Sequence, residues 1–220
     1  MKILAFDTSN NTASVAISEG QNILAYQEEQ RPSMQAECLI PMIEHTLAYS
    51  GLSYQQIDYL GVINGPGSFT GIRIGLAAAQ GILLSTQIKG TVVTNFEMAY
   101  FRTCAQVKNF NKIIVIINAY REQLYTQTFD REGNSSAAQL IDCSLLIELL
   151  TKENSSITLV GSGIEVIYNQ IKHLPNITIL PRFSRIKALH ICRYIDDKIL
   201  KSGALRPLEP LYIRPADAKI

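Results

Sequence analysis

The sequence predicts an α/β fold in two lobes, and three observations carry that expectation. The chain opens with three strand-like runs separated by turn residues. A glycine-rich loop, Asn64-Gly-Pro-Gly-Ser-Phe-Thr-Gly71, then feeds straight into a helix that is apolar almost all round. Strand and helix patterns recur through the remainder of the chain. At 220 residues it can bury a sizeable core as one large domain or two small ones.

Lys2–Asp7 reads as a buried strand, Ala13–Ser18 as a second, and Ile23–Gln27 as a third after the turn residues Glu19-Gly-Gln-Asn22. Short turns between them predict an antiparallel meander. Ser33 to Tyr49 has helical spacing, with Ala36, Leu39, Ile40, Ile43 and Leu47 on one face. A second stripe, Met34, Cys38, Met42, His45 and Tyr49, runs beside it, and Pro41 should bend the helix. Ser53 can cap a short turn over Tyr54–Ile57, and Tyr59–Asn64 is the next strand. Between Gly71 and Ser85 only Arg73 and Gln80 are strongly polar, so the helix there is buried almost all round, in the domain or in a protein contact.

The order β-β-β-α-β-α over residues 1 to about 86 is that of a ribonuclease-H-like unit, and two such units build the actin-like/Hsp70-like ATPase fold. The second half reads as a reduced copy. Its strands are Ile113–Asn118, Gln123–Phe129, Ile157–Val160 and Ile177–Leu180; its helices are Leu145–Leu150, Ile164–Ile171 and Ile186–Leu200. The expected division is an N-terminal lobe over 1–100 and a reduced C-terminal lobe over 101–200. The segment 201–220 is expected to return to the first lobe.

A net charge of +1 sets up no global field toward nucleic acid or acidic membranes. From Arg182 onward nine Lys/Arg face four Asp/Glu, which reads as a solvated basic stretch or, alternatively, as an RNA-contacting face. Cys38, Cys104, Cys143 and Cys192 are widely spaced, with no CxxC pair, so reduced thiols in a cytoplasmic protein are expected. No signal-peptide pattern precedes the first strand, and the apolar helix falls short of the ~20 residues of a membrane span.

Asp7-Thr8-Ser9 ends the first strand at a turn. It is either a phosphate-approaching loop or a simple turn whose side chains satisfy their own backbone. Together with Ser68 and Thr70 these residues are the candidates for a vestigial nucleotide site. Gly65–Gly71 is not a Walker loop, since no GK[ST] follows, but Ser68 or Thr70 can cap the helix. Gly71, Gly75 and Ala79 recur every four residues and leave one helix face nearly bare, open either to a partner helix or to packing within the molecule. His45, His173 and His190 are isolated, and Asn118 stands where a catalytic Asp could follow a buried strand. Acid–base machinery is sparse, and no metal-ligand spacing is present.

The segments GPGSFTGIRIGLAAAQGI, KILAFDTSNNTASVAI, Leu39-Ile-Pro-Met-Ile43, Asn118-Ala-Tyr-Arg-Glu-Gln-Leu-Tyr125 and Pro210-Leu-Tyr-Ile-Arg214 together resemble the TsaB (YeaZ) family, in order and over essentially the whole chain. The resemblance implies a catalytically inactive paralogue of TsaD, the subunit that transfers threonylcarbamoyl to the adenosine beside the anticodon in tRNA. It implies a heterodimer with TsaD, joined by the ATPase TsaE, and a homodimer when alone. The family contact is a helical bundle of the first two helices, here about 33–49 and 70–85. The partner-interface candidates are then Leu39, Met42, Ile43, Gly71, Ile72, Gly75, Ala78, Ala79 and Ile82, with a charge at Gly75 expected to break the pairing. No cofactor or metal is required, though the resemblance leaves room for weak or shared ATP/ADP binding in the complex. Contact with tRNA would be indirect.

This sequence departs from the family pattern at Gln35, where a His is common, and at Asn118, where Asp is usual; the iron-binding HxxxH of TsaD has no counterpart. The competing reading is an ATP-dependent kinase or carbamoyl-type transferase of the same superfamily, with Asp7, Thr8, Ser68 and Thr70 lining a phosphate site.

Overall fold

Period-two alternation in the first strand serves two helical layers at once. In β1 (Lys2–Asp7), Leu4 and Phe6 point to one side and Ile3 and Ala5 to the other, and all four are buried. The computed structural model, which describes residues 1–180 and 185–214, places β1 at the centre of a five-stranded sheet. Its other strands are β2 (Ala13–Glu19), β3 (Asn22–Glu29), β4 (Tyr59–Ile63) and β5 (Lys89–Val93), in the order β3-β2-β1-β4-β5. β1, β2 and β3 pair antiparallel, as the short turns predict, while β4 and β5 join parallel after helical crossovers.

Those crossovers are α1 (Gln35–Ser50) and α2 (Phe69–Ser85). Leu39, Ile43 and Leu47 of α1 and Ile72, Leu76, Ala79 and Ile82 of α2 bury against Leu4, Phe6, Val15, Ile17, Leu60 and Val62. α1 accommodates Pro41 on its exposed side and stops at Gly51, whose φ of 70° is the left-handed cap that glycine adopts without a Cβ penalty. The sheet's other face is covered from the far end of the sequence. After β5 the chain leaves this unit within α3 (Asn95–Gln106), past Met98, and it returns at Ile186.

Residues 1–98 and 186–211 form the first unit; 99–185 and 212–220 form the second. The helix expected in the second lobe over 186–200 therefore belongs to the first. It runs through Ala188–Tyr194, a π turn at Ile195–Ile199 and a last turn Leu200–Ser202. Its Cys192 thiol sits 3.8 Å from the carbonyl oxygens of both Ile3 and Ala16. Gly61 in β4 exists to admit this helix, because a Cβ there would overlap the Ile195 side chain. The return of the C-terminal segment to the first lobe holds as far as Leu211, while Tyr212–Arg214 group with the second unit; positions 215–220 of that expectation lie outside the described residues.

Arg206 fastens the returning segment. Its guanidinium meets Glu97 in two hydrogen bonds of 3.0 and 2.9 Å, and its backbone N–H donates to Thr91 Oγ1 at 3.1 Å. Bidentate charge-assisted pairs are among the stronger polar contacts, although this one is partly exposed to solvent. Arg206→Ala is expected to cost about 1–2 kcal/mol. It should also raise amide exchange selectively over 203–211; unchanged exchange there would show that apolar packing alone holds the segment.

The second unit repeats the topology. β6 (Lys112–Asn118), β7 (Gln123–Phe129) and β8 (Gln139–Asp142) pair antiparallel; β9 (Ile157–Val160) and β10 (Ile177–Ile179) join parallel, in the order β10-β9-β6-β7-β8. α4 (Cys143–Lys152) and α5 (Ile164–Ile171) bury Leu146, Leu150, Ile167 and Ile171 against Ile116, Leu124 and Leu159. The copy is reduced in length, not in strand number. β8 escaped sequence reading because four half-exposed residues carry no alternation, and β5 with α3 was likewise unrecognised.

Candidate functional site

In the first unit, the turn after β1 and the glycine loop before α2 lie against each other. Asp7 Oδ1 accepts the Ser9 N–H at 2.7 Å, closing an Asx turn, and Asn10 Nδ2 reaches Asp7 Oδ2 at 3.5 Å. The Ser9 carbonyl accepts the Ser68 N–H at 2.7 Å. Thr8 Oγ1 donates to the Gly71 carbonyl at 2.7 Å, and Asn95 Nδ2 bridges Ser9 Oγ (2.9 Å) and the Pro66 carbonyl (2.8 Å). Ser68 is the N-cap of α2, accepting from Gly71 N–H at 3.2 Å.

The glycines make this contact sterically possible. A Cβ at Gly67 would lie on the Ser9 carbonyl oxygen, one at Gly71 on that of Thr8, and one at Gly75 only 2.7 Å from Thr8 Oγ1. The bare face of α2 is therefore spent inside the unit. This corrects most of the expected interface: Leu39, Ile43, Gly71, Ile72, Gly75, Ala79 and Ile82 are buried in the unit's own core, and only Met42 and Ala78 stay half-buried. Glutamate at Gly75 would strike Thr8 and Val62 before it met a partner.

The residues these helices do present differ. On α2, Phe69, Arg73, Ala77, Gly81 and Leu84 are exposed, Leu84 to 90%, and the Arg73 guanidinium lies 3.7 Å from the Phe69 ring centre. On α1, Ile40 (43% exposed), Glu44 and Tyr49 (78%) face solvent. Since the two helices pack side by side, Ile40 and Glu44 of α1 join the exposed row of α2 in one two-helix face, whereas Tyr49, nine residues and so half a turn from Ile40, lies on the other flank of α1.

The five nucleotide-site candidates divide by exposure: Asp7, Thr8 and Ser9 are buried, Ser68 is half-buried and Thr70 is exposed. The loops fit a phosphate group poorly. The Ser9, Ser68 and Gly71 N–H groups already have partners within the protein. The buried atoms left unpartnered nearby, Asn64 Oδ1 and Asn95 Oδ1, are acceptors, which repel phosphate oxygens. Among the described residues no group of three or more His, Cys, Asp or Glu is placed to hold a metal ion.

Burial pushes the Asp7 carboxyl above its ordinary value, against the opposing hydrogen bonds from Ser9 and Asn10. A raised carboxyl favours the fold while protonated, so its contribution is full below the unfolded value and is lost as pH rises through the folded one. Asp7→Asn should therefore melt higher than the parent at neutral pH, with the gap closing toward pH 3. A variant less stable at neutral pH would mean that the charged carboxylate is needed for folding.

A cavity of about 580 Å³ lies away from both loops, lined by Tyr54, Asp58, Tyr59, Thr86, Gln87 and Lys89 at the amino ends of β4 and β5. In the second unit the Asn118 motif forms a hairpin tip in which Tyr120, Arg121 and Glu122 all have φ between 53° and 59°. Arg214 clamps this tip through the Ala119 carbonyl (3.0 Å) and Gln123 Oε1 (2.6 Å). The basic stretch is largely engaged locally: Lys187 pairs with Glu28, Lys198 and Lys201 with Asp197, and Arg206 with Glu97. Arg182 and Lys219 lie outside the described residues.

The family model described as TsaD, tRNA N6-adenosine threonylcarbamoyltransferase, matches residues 33–188. The tRNA threonylcarbamoyladenosine biosynthesis protein TsaB of Escherichia coli (strain K12) is 31% identical over 138 residues, 61% of this chain. The chain belongs to this family, in its TsaB (YeaZ) branch. The aligned part is 57% of the E. coli protein's length, so the chain spans little more than half of that relative. TsaB of Buchnera aphidicola subsp. Baizongia pistaciae is 28% identical over 73% of this chain and 75% of its own length.

YeaZ from Pseudomonas aeruginosa superposes with a TM-score of 0.76 at 18% identity, covering 96% of this chain and 99% of that one. EutJ, an ethanolamine utilization protein from Carboxydothermus hydrogenoformans, superposes at 0.54 with 8% identity, over 88% of this chain and 90% of its own. These likenesses establish the actin-like ATPase fold of the family. No helix among the described residues is long and apolar enough to cross a membrane.

Proposed function

We propose that this chain serves tRNA threonylcarbamoyladenosine biosynthesis as a non-catalytic subunit that pairs with a TsaD homologue, with the ATPase TsaE joining the pair. The observation that carries the reading is the exposed α1–α2 face, in a chain whose relatives bear the TsaB name. Large apolar side chains at Ile40 and Leu84, beside the small Ala77 and Gly81, suit a helix pair laid across this face. The sites in this reading are Ile40, Ala77, Ala78, Gly81 and Leu84 at the partner surface, with no catalytic residue and no metal; Met42 lies on the other flank of α1, against the groove beside β3. In the absence of the partner a second copy of the chain would occupy the same face.

A non-catalytic role accords with the loop chemistry. Asp7 is buried and closes its own Asx turn, and the glycine loop hydrogen-bonds to the β1 turn. No cofactor is required in this reading; ATP or ADP bound in the complex would take its phosphate donors from another protein. The subunit then acts by stabilising the TsaD conformation that it binds best.

Sedimentation of the chain alone and mixed with TsaD of its own organism tests the proposal. A heterodimer that forms at the expense of the homodimer is expected. A chain that stays monomeric and ignores TsaD overturns it.

A further inference from the structure

Among the described residues β3 is paired on one side only, with β2, so its other edge directs a row of backbone N–H and C=O groups outward. Its register with β2 skips Leu24, a bulge that ends the regular ladder and leaves Ala25–Glu29 as the even part of the edge. Edge strands are commonly guarded by free charges. Here both carboxylates are occupied: Glu28 meets Lys187 at 2.8 Å and Glu29 meets Arg31 at 2.6 Å. Beside this edge, on the α1 side of the sheet, lies a shallow groove of about 450 Å³, lined by Gln27 of β3 and by Cys38, Pro41, Met42 and His45 of α1. The Gln27 amide touches His45 Nδ1 across it. Cys38, Met42, His45 and Tyr49 follow one another at i, i+4, i+7 and i+11, the spacing of a helix–helix seam, and Tyr49 at its end is 78% exposed.

We propose that a second copy of this chain docks here, its β3 running antiparallel to the first over Ala25–Glu29 with Gln27 on the two-fold axis, and the two α1 seams closing the groove. The edge is self-complementary in this register. Gln27 then faces Gln27, Tyr26 faces Glu28 and Ala25 faces Glu29, so no like charges stand opposite each other. A shift by one pair in one direction would set Glu28 against Glu28, and in the other it would run into the bulge at Leu24. The helices fit the same axis. α1 packs over β2 and β3, so two copies of it on one face of a joined sheet stand about 10 Å apart, twice the usual strand spacing of about 4.8 Å. Helices pack at about 8–10 Å. Gln27 touches His45, so the axis crosses α1 at that level. Met42 of each copy then meets His45 of the other, and Cys38 meets Tyr49. This contact uses the flank of α1 away from α2 and does not depend on the pairing proposed above.

A strand pair of five residues with one helix contact is a small interface, so it is read at high protein concentration. A chain with two self-contacts open would grow past a dimer, so the test closes the α1–α2 face with Ala77→Glu and Leu84→Asp together. Sedimentation equilibrium of this double variant should still show a dimer. Adding Gln27→Lys sets two ammonium groups face to face on the axis, and adding Gln27→Glu sets two carboxylates there; each should weaken the dimer by about tenfold or more. An equimolar mixture of the lysine and glutamate forms should recover it, because the mixed pair brings opposite charges together. Misfolding cannot produce that recovery. A double variant that is monomeric at every concentration overturns the proposal, as does a dimer indifferent to residue 27 or a mixture no tighter than its components. A dimer that survives in the double variant and follows the charge at residue 27 supports the β3 contact whatever the α1–α2 face binds.

Discussion

Gly71→Val should leave little folded protein. The Cβ alone would sit on the Thr8 carbonyl oxygen, which belongs to the backbone at the end of the central strand and cannot rotate away. The valine would also part the Thr8 hydroxyl from the Gly71 carbonyl, a buried hydrogen bond of 2.7 Å. Overpacking of this kind typically costs about 1–3 kcal/mol and more where backbone must move. The lost hydrogen bond adds about 1 kcal/mol. Against a total stability of about 5–15 kcal/mol the sum is a large fraction, and the denaturant midpoint should fall sharply or the protein should be insoluble. Gly81→Ala, three turns further along the same helix, should do the opposite. Nothing lies within 4 Å of a Cβ there, so the helix gains about 0.5–1 kcal/mol from the better helix former. If both variants matched the parent, the close packing of α2 on the β1 turn would be wrong.

This contrast also marks what could be read from the sequence. The meander, the two crossover helices and the repeat of the unit were legible because each rests on local periodicity over many residues. β1 is a continuous apolar run, as a strand covered on both faces should be, and α1 has its apolar row at helical spacing. The face to which Gly71, Gly75 and Ala79 turn was not legible. A bare helical face accepts either a partner helix or a β-turn, and only the position of Thr8 in three dimensions decides. Leu39 and Ile43 failed as surface candidates for a related reason, since an apolar row marks burial without naming what buries it. Only the helix over 186–200 was assigned to the wrong unit, because it docks on β1, β2 and β4 over contacts more than a hundred residues apart that leave no pattern in local sequence. Leu84 could have been found by asking which apolar positions lie off the main row, whereas Ile40 sits at the margin of the apolar row of α1 and only the structure turns it to solvent.

The pairing surface can be tested without disturbing the fold, because its residues face solvent in the isolated chain. Ala77→Glu and Leu84→Asp each add a charge at an exposed position of α2, where substitutions usually shift stability by no more than about 0.5 kcal/mol. Buried at an interface, such a charge lacks a partner, and an uncompensated buried charge costs about 3–5 kcal/mol. Association with TsaD should therefore weaken by more than a hundredfold, at about 1.4 kcal/mol for each factor of ten, while the melting temperature holds. Gly75→Glu cannot make this distinction, since its side chain collides with Thr8 and Val62 inside the unit and any loss of pairing would follow from unfolding. Exposure decides which experiment is informative: a variant at Ala77 reports on the partner, and a variant at Gly75 reports on the core. Should Ala77→Glu and Leu84→Asp both pair normally, the α1–α2 face is not the contact. The proposal of a scaffold subunit would then need another surface, with Leu145, Leu149 and Tyr168 of the second unit the next exposed apolar group to alter.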